Sequence, residues 1–277
     1  MKRVVYYLLF LLVALSACQL RGGASSTITP DAEGIVYKDD NIEFRQIDAN
    51  TWHGKGNLMY SESVYLVAGE DDALLIDAGM YVPGLKAIAE KIVGKKNTLV
   101  ITHVHSDHTG IAVNEWESLW MNAADEVNVE ACMPNYQGKK QYLHDGQIFD
   151  LGGRQIEVLF APGHTPGSTL LIDKEAHYGF SSDAFGSSNL LVFTDLSTVS
   201  SSCSRTLRFV EKYGLTHFYP GHFGGENIET PKRIDDIRAL CDSVLAGTKE
   251  YQSEINVLNH LVKGEGITIR FNAPQIR

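Results

Sequence analysis

The chain has 277 residues, of which 44% are hydrophobic and 21% are charged, and these proportions exclude an extensively disordered protein. The length favours one large domain or two modest ones. The 24 basic and 34 acidic residues give a formal net charge of −10, without a lysine- or arginine-rich block in the body of the chain. Because backbone binding to DNA or RNA usually needs a basic face, we expect no nucleic-acid partner.

The N-terminus has the features of a bacterial lipoprotein signal peptide. Two basic residues precede an apolar run, 4–15, whose 12 residues suit a signal core and are too few to span a bilayer. The Leu-Ser-Ala-Cys sequence that ends at Cys18 resembles a lipobox, in which the cysteine is lipidated and becomes the first mature residue. We therefore expect residues 1–17 to be removed and residues 18–34 to form a lipid-anchored flexible tether. An ordinary secretory signal with an incidental cysteine is the alternative.

In chain order, the first half of the body is predicted to consist of short strands and one helix. Alternating apolar residues between turn residues predict four strands, at 35–38, 42–47, 63–68 and 73–76. Helical apolar spacing predicts a helix over 82–92, and a buried strand then leads into His103. Beyond it, within 114–130, we expect a helix followed by a short strand at 126–129.

The second half resumes the pattern of short strands and ends in helices. Strands are predicted at 147–151, 155–160, 169–172 and 176–180, and again at 216–219 and 267–271. Helices are predicted over 202–213 and, as one or two amphipathic helices, over 228–262. Thr230-Pro231 is a plausible start for the latter, because proline is favoured in the first helical turn.

The most informative stretch is His103-Val104-His105-Ser106-Asp107-His108, at the end of the predicted buried strand. In an extended backbone residues i and i+2 point the same way, so His103 and His105 can share one metal ion. The turn that follows can bring Asp107 and His108 onto another ion. The alternative is a chance cluster of polar loop residues.

Three further metal-competent side chains follow predicted strands and are flanked by small residues. His164 lies in a loop bent by two prolines and two glycines, Asp183 follows two serines, and His222 follows a Pro-Gly pair. Taken alone, each is an ordinary loop residue.

Taken in order, these ligands resemble those of the metallo-β-lactamase superfamily. The stretch Leu75-Ile76-Asp77-Ala78-Gly79 resembles the first motif of that family, and the resemblance covers residues 35–223. It implies an α/β fold, a four-layer αββα sandwich with the site at the edge where strand ends converge. We therefore expect a catalytic domain over 35–225 that is completed by a C-terminal helical segment, 226–277.

The resemblance also implies a dinuclear site with a glyoxalase II-like ligand set. The ligands implied are His103, His105 and His164 for the first metal, Asp107, His108 and His222 for the second, and Asp183 as a bridge. Asp77 is expected outside the ligands, either orienting one of them or capping a turn. Imidazoles and carboxylates suit two Zn²⁺ ions, although the same set can hold iron or manganese.

The chemistry implied is hydrolysis of a carbonyl-type bond, an ester, thioester, lactone or amide, in a small molecule. Metals lower the pKa of bound water, so a di-zinc-bound hydroxide would attack the carbonyl without a serine or cysteine nucleophile. Asp107 and Asp183 are the candidate carriers of the proton to the leaving group. A lipid anchor at Cys18 would place this enzyme in the cell envelope, facing the periplasm or the surface, with no other membrane contact.

Departures from the subfamilies leave alternatives open. The segment 226–277 looks short for the glutathione-binding domain of glyoxalase II, and Gly186 stands where quorum-quenching lactonases carry tyrosine. Residues 164–169 resemble β-lactamases of the third subclass, which would act in the periplasm but lack a bridging aspartate. The stretch 182–186 resembles flavodiiron proteins, and persulfide dioxygenases use the same scaffold, so an iron-dependent oxidoreductase is the alternative of another class.

Two segments are candidate walls of the substrate pocket. Trp52-His53 lies where this family often places covering loops. The stretch 187–201 contains the apolar run Leu190-Leu191-Val192-Phe193 and could be an apolar lid or a core strand.

Overall fold

The fold is taken from a computed structural model, which describes residues 28–59 and 61–272. The predicted signal peptide and Cys18 lie outside these residues. Within the described ranges, no helix combines the length and the apolar character that crossing a membrane requires.

The first sheet has eight strands, which lie in the order of the chain. They are β1 (Ile35–Lys38), β2 (Ile42–Asp48), β3 (Thr51–Gly56), β4 (Ser63–Ala68), β5 (Ala73–Ile76), β6 (Asn97–Val100), β7 (Ser118–Met121) and β8 (Lys139–Tyr142). The first five pair antiparallel, and β5 to β8 pair parallel.

The remaining strands form a five-stranded and a four-stranded sheet. The strands are β9 (Ile148–Asp150), β10 (Gln155–Phe160), β11 (Thr169–Asp173), β12 (Tyr178–Ser182), β13 (Asn189–Leu191), β14 (His217–Pro220), β15 (Gln252–Ser253), β16 (His260–Gly264) and β17 (Ile267–Phe271). The second sheet has the order β14-β12-β11-β10-β9, and the third has the order β13-β17-β16-β15. Since β10 and β12 both run antiparallel to β11 while β14 is parallel to β12, the carboxyl ends of β10, β12 and β14 meet at one edge.

The α-helices of the described residues are α1 (Leu85–Val93), α2 (Glu126–Cys132), α3 (Leu196–Tyr213) and α4 (Pro231–Leu245). Helix α3 is capped by the Asp195 side chain, and α4 is capped by Thr230 with Pro231 in its first turn, as the sequence predicted for α4.

Alternation of side chains along the central strands produces the layers. In β4, Leu66 packs in the cluster that includes the apolar face of α1, whereas Tyr65 and Val67 lie in the cluster between the two large sheets. In β11, Leu171 lies between the sheets, whereas Leu170 and Ile172 pack with α3 and α4. The order is therefore helix, sheet, sheet, helices, and the predicted four-layer αββα sandwich is confirmed.

Three predicted elements differ from the structure. The helix expected within 114–130, ahead of the strand, is wrong, because residues 118–121 pair with β6 and β8 as strand β7. Residues 126–129, predicted as a strand, lie in helix α2, because the Asn122 side chain accepts a hydrogen bond from Ala124 N and starts a helical turn there. The apolar Val127 in this helix is 76% exposed, so its β-branched side chain does not indicate a buried strand.

The segment 226–277 is helical only in part. Helix α4 ends at Leu245 beside Gly247, whose φ of +69° lies in the left-handed region, and the chain continues as β15 to β17. The predicted terminal strand 267–271 is present and pairs with β16 and β13. The helix predicted to extend to residue 262 is therefore wrong beyond α4.

Candidate metal centre

The histidine-rich loop begins where β6 ends. After Val100 the chain leaves the sheet, and His108 N and Thr109 N both donate to the carbonyl oxygen of His105, at 3.0 and 2.9 Å. This tight turn allows side chains that are three residues apart in sequence to face the same region.

The other three predicted site residues arrive from the second sheet. His164 follows β10, Asp183 follows β12 directly, and His222 follows β14, so the shared edge brings them beside the first loop. Close approach requires a glycine before His222, because a Cβ atom on Gly221 would lie 2.1 Å from Asp183 Oδ1. All seven residues predicted as metal ligands therefore lie in one region of the structure.

Three histidines form the first group. Potential ligand atoms of His103, His105 and His164 lie within 4.8 Å of one another, and His105 Nδ1 is 2.9 Å from His164 Nε2. His164 Nδ1 is 2.7 Å from the carbonyl oxygen of Leu191, and donation there leaves Nε2 with a free lone pair. If His105 Nδ1 also carries a lone pair, these two nitrogens, 2.9 Å apart, repel each other unless a proton or a cation lies between them.

Asp107, His108 and His222 form the second group, again within 4.8 Å. Asp107 Oδ2 is 3.7 Å from His108 Nε2 and 3.5 Å from His222 Nε2. Asp183 faces both groups through one oxygen. Its Oδ2 is 3.7 Å from His164 Nε2, 3.7 Å from His108 Nε2 and 3.3 Å from His222 Nε2.

Asp77 lies behind the second group. Its Oδ1 accepts from Thr102 N at 2.8 Å, and its Oδ2 accepts from the hydroxyls of Thr102 and Ser182 and is 3.0 Å from His108 Nδ1. Although Asp77 also lies within 4.8 Å of His103 and His108, its oxygens are occupied by these donors. It therefore orients His108, whose Nδ1–H donates to Asp77 and whose Nε2 is directed at Asp107 and Asp183. Its neighbours Thr102 and Ser182 are not identifiable from the sequence, where each is an ordinary strand-end residue.

Burial and charge separate the histidines into two kinds. Burial lowers the pKa of His164 to about 4 and depresses the pKa values of His103 and His105. For His108 burial opposes the charged form, but Asp183 and Asp77 outweigh it and raise the pKa to about 10. The first group is therefore neutral, whereas the carboxylates draw positive charge into the second group.

The residues present fit metal ions. Among the described residues, His103 Nε2 and His108 Nε2 are buried without a hydrogen-bond partner, which is costly unless another species binds there. Neutral imidazoles and carboxylates that converge in two groups are ligands typical of Zn²⁺ and of other first-row divalent metals.

A cavity of about 350 Å³ opens beside this cluster. Its lining residues are His164, Asp183, Gly186, Ser187, Ser188, Asn189, Leu191, His222 and Asn227. The ring of Phe193, 39% exposed, lies 5.5 Å from the His105 ring and 5.7 Å from the His164 ring, so it covers these two histidines on one side. Within the stretch 187–201, Leu190 and Val192 are buried in the core, whereas Phe193 contacts the rings at the site. The role of this stretch as a lid stays a prediction.

Two other features lie apart from this chemistry. A larger hollow of about 580 Å³ surrounds Arg154 and contains none of the clustered histidines. Arg154 itself binds Asp173 and several oxygens, so it acts as a structural link. His53 is not on an open pocket wall, because it is buried in β3, with Nε2 3.0 Å from Ser63 Oγ and its ring stacked on Tyr65.

The chain is similar in sequence and in fold to known proteins. The acyl-coenzyme A thioesterase MBLAC2 of Gallus gallus is 28% identical over 251 residues, which cover 74% of this chain and 88% of that protein. A beta-lactamase domain protein from Burkholderia ambifaria superposes with a TM-score of 0.59 at 17% identity, over 80% of this chain and 76% of that chain. TTHA1623, in a di-iron-bound form, gives a TM-score of 0.50 at 24% identity, over 65% and 94%.

The family assignment rests on the sequence itself. The family profile of the metallo-beta-lactamase superfamily matches residues 60–224, more than half of the chain, and this range includes every residue of the two ligand groups. The chain therefore belongs to the metallo-beta-lactamase superfamily.

Proposed function

We propose that the protein is a dinuclear metal-dependent hydrolase that cleaves thioesters of small molecules and uses two Zn²⁺ ions. The observation that carries the proposal is the position of Asp183 Oδ2, between His164 Nε2 of the first group and the Nε2 atoms of His108 and His222 in the second. An oxygen in this position suits a bridge between two ions. The thioester class is supported by the similarity to the acyl-coenzyme A thioesterase MBLAC2.

We assign the ligands to two positions in the way that the family resemblance implies. His103, His105 and His164 would hold the first ion, Asp107, His108 and His222 would hold the second, and Asp183 would contact both. Ions held there would lower the pKa of a water molecule and polarise the substrate carbonyl, so that no serine or cysteine nucleophile would be required.

The side chains of the site supply proton transfer and orientation. Asp107 and Asp183 present carboxylate oxygens at the cluster and are the groups that can pass a proton to the leaving sulfur. Asp77 accepts a hydrogen bond from the Nδ1 proton of His108, so that an ion would displace only the proton that the carboxylates favour on Nε2. Phe193 covers the rings of His105 and His164 on one side and limits the access of bulk water.

The cavity favours an uncharged group next to the scissile bond. Apart from the proposed ligands, its described lining consists of small, amide and aliphatic residues, and it includes no lysine or arginine. Away from the proposed ions, these residues offer no counter-charge to a carboxylate or phosphate on the acyl group. A neutral acyl thioester meets this requirement.

An iron-dependent oxidoreductase is the second candidate. It is supported by the ligand set of this chain, because histidines and carboxylates suit iron as well as zinc.

A single experiment separates the thioesterase from the oxidoreductase and also from a β-lactamase. The purified protein is tested with matched metal content, either zinc or ferrous iron, against a panel of thioesters, esters, lactones and β-lactams, while oxygen uptake is followed. The proposal predicts thioester hydrolysis by the zinc form that is lost in His103→Ala and Asp183→Ala. Oxygen uptake by the iron form without thioester hydrolysis would favour the oxidoreductase, and β-lactam turnover above thioester turnover would favour a β-lactamase.

We also propose that Cys18 carries a lipid anchor and that the folded part acts in the cell envelope. The proposal is supported by the basic start, the 12-residue apolar run 4–15 and the lipobox-like sequence that ends at Cys18.

A further inference from the structure

One buried carboxylate near the metal centre has no part in the mechanism described above. Asp125 ends the short 3₁₀ helix Ala123–Asp125 that precedes α2, and it is 0% exposed. A buried carboxylate is costly unless hydrogen bonds satisfy it, so its partners indicate what it does.

Asp125 accepts three hydrogen bonds, all from two loops distant in sequence. Its Oδ2 accepts from Val104 N at 2.8 Å and from Thr165 Oγ1 at 2.9 Å, and its Oδ1 accepts from Gly167 N at 2.7 Å. One carboxylate thus joins the loop that follows β6 to the loop that follows β10. The three donors are neutral, so the contacts position backbone rather than balance charge.

The bonded atoms lie next to the first group of histidines. Val104 lies between His103 and His105, and Thr165 directly follows His164. Each histidine of the first group is therefore one residue from an atom that Asp125 holds.

The second group has different supports. Asp77 orients His108, and Asn227 Nδ2 donates to the carbonyl oxygen of His222 at 2.9 Å. None of the hydrogen bonds of Asp125 reaches these residues. A perturbation at Asp125 should therefore act on one group and spare the other.

The fit around this carboxylate is close. A Cβ atom on Gly167 would lie 2.5 Å from Asp125 Cγ, so the loop can reach the carboxylate only with a glycine at this position. Asparagine at 125 would keep the size but replace one acceptor oxygen with an NH₂ group, which cannot accept from Gly167 N or, in the other orientation of the amide, from Val104 N.

We propose that Asp125 is a positioning residue that fixes the spacing of His103, His105 and His164 and thereby sets the affinity of the first metal position alone. This inference rests on the two metal positions of the proposed function and is independent of the substrate class.

The test measures occupancy at each position separately. Crystals of the wild type and of Asp125→Asn are equilibrated over a series of buffered free Zn²⁺ concentrations, and anomalous scattering at the zinc edge gives the occupancy of each position. Substitution of residues that hold metal ligands in place typically weakens metal affinity about 10- to 100-fold. We expect the zinc concentration for half occupancy to rise by that factor at the first position only. An unchanged first position, or equal weakening of both positions, would overturn the inference.

Asp173→Asn is the matched control. Asp173 is 1% exposed and accepts hydrogen bonds from Glu175 N, Ala176 N and Arg154, but it ends β11, whose carboxyl end lies opposite the site. Its substitution should lower stability without changing either zinc occupancy curve. A similar shift at the first position in Asp173→Asn would attribute the effect to general loss of stability and refute the positioning role.

A second pair of variants covers a failure of Asp125→Asn to fold. Thr165→Val removes the hydroxyl bond to Asp125 and leaves the two backbone bonds, so it should lower the zinc affinity of the first position by less than Asp125→Asn does. Thr165→Ser keeps a hydroxyl and should have the wild-type zinc affinity at this position. Equal curves for the two Thr165 variants would contradict the inference. If wild-type protein binds zinc at both positions but hydrolyses no thioester, the substrate proposal fails and this inference stands; a wild type without zinc at the first position overturns both.

Discussion

Asp77→Asn is expected to weaken the second metal position by changing the tautomer of His108. The substitution keeps an oxygen for Thr102 N but places an NH₂ group where Oδ2 now accepts from Ser182 Oγ and His108 Nδ1. A hydroxyl can reverse its role and accept from the NH₂ group. His108 can do so only by moving its proton to Nε2, the atom that faces Asp107 and Asp183.

The size of the effect follows from the bonds that are lost. One hydrogen bond to a charged group contributes about 1.5–3 kcal/mol, so the metal-free protein should lose about that much of its free energy of unfolding. Outer residues that orient a ligand histidine change metal affinity about 10- to 100-fold, which corresponds to about 1.4–2.8 kcal/mol of binding free energy. The affinity of the first position should be nearly unchanged.

The assay is zinc titration of metal-free protein in competition with a chromophoric chelator, with urea unfolding in parallel. Thr102→Val is the matched control, because it removes a hydroxyl bond to Asp77 but keeps the bonds from Thr102 N and His108. The control should retain both zinc affinities within a few-fold. If Asp77→Asn binds the second zinc as tightly as the wild type, the role assigned to Asp77 is wrong.

Two further predictions concern stability and location. Burial lowers the pKa of His53 to about 4 from its ordinary value near 6.5, so the unfolded state takes up the proton first and stability falls as pH decreases through this interval. Urea unfolding at about pH 7.5 and about pH 5 should show a loss that is about 2 kcal/mol larger in the wild type than in His53→Gln, and equal losses would contradict the buried neutral imidazole. Cys18→Ala should release the protein from membranes on cell fractionation, whereas continued membrane association would refute the lipid anchor.

The sequence predicts most strand positions and the ligand residues because both depend on local patterns. The spacing of His103, His105 and His108 at a strand end can be read directly, whereas the distant His164 and His222 are connected to it only through the family resemblance. The structure brings all five histidines together, because β6, β10 and β14 deliver them to a common edge.

Other features cannot be predicted because their causes are tertiary. Strand β3 is not predicted, since its Gly54 and Gly56 are poor strand formers, yet Gly54 is required where the Phe44 ring packs, because a Cβ atom there would lie 2.7 Å from the ring. Asp125 has no sequence signature, because two of its three donors are backbone amides that any residue other than proline offers. The predicted extent of α4 is too long because apolar spacing continues beyond Leu245 into residues that pair as strands.

We propose above that the two ligand groups bind two metal ions and that thioester cleavage needs both. The most direct measurement is the zinc content of the purified protein, with the rate of thioester hydrolysis followed as zinc is removed and then returned. We expect two zinc ions per chain, loss of hydrolysis on removal, and recovery that requires the second equivalent. Hydrolysis that persists in zinc-free protein would show that the two ligand groups do not hold catalytic zinc ions.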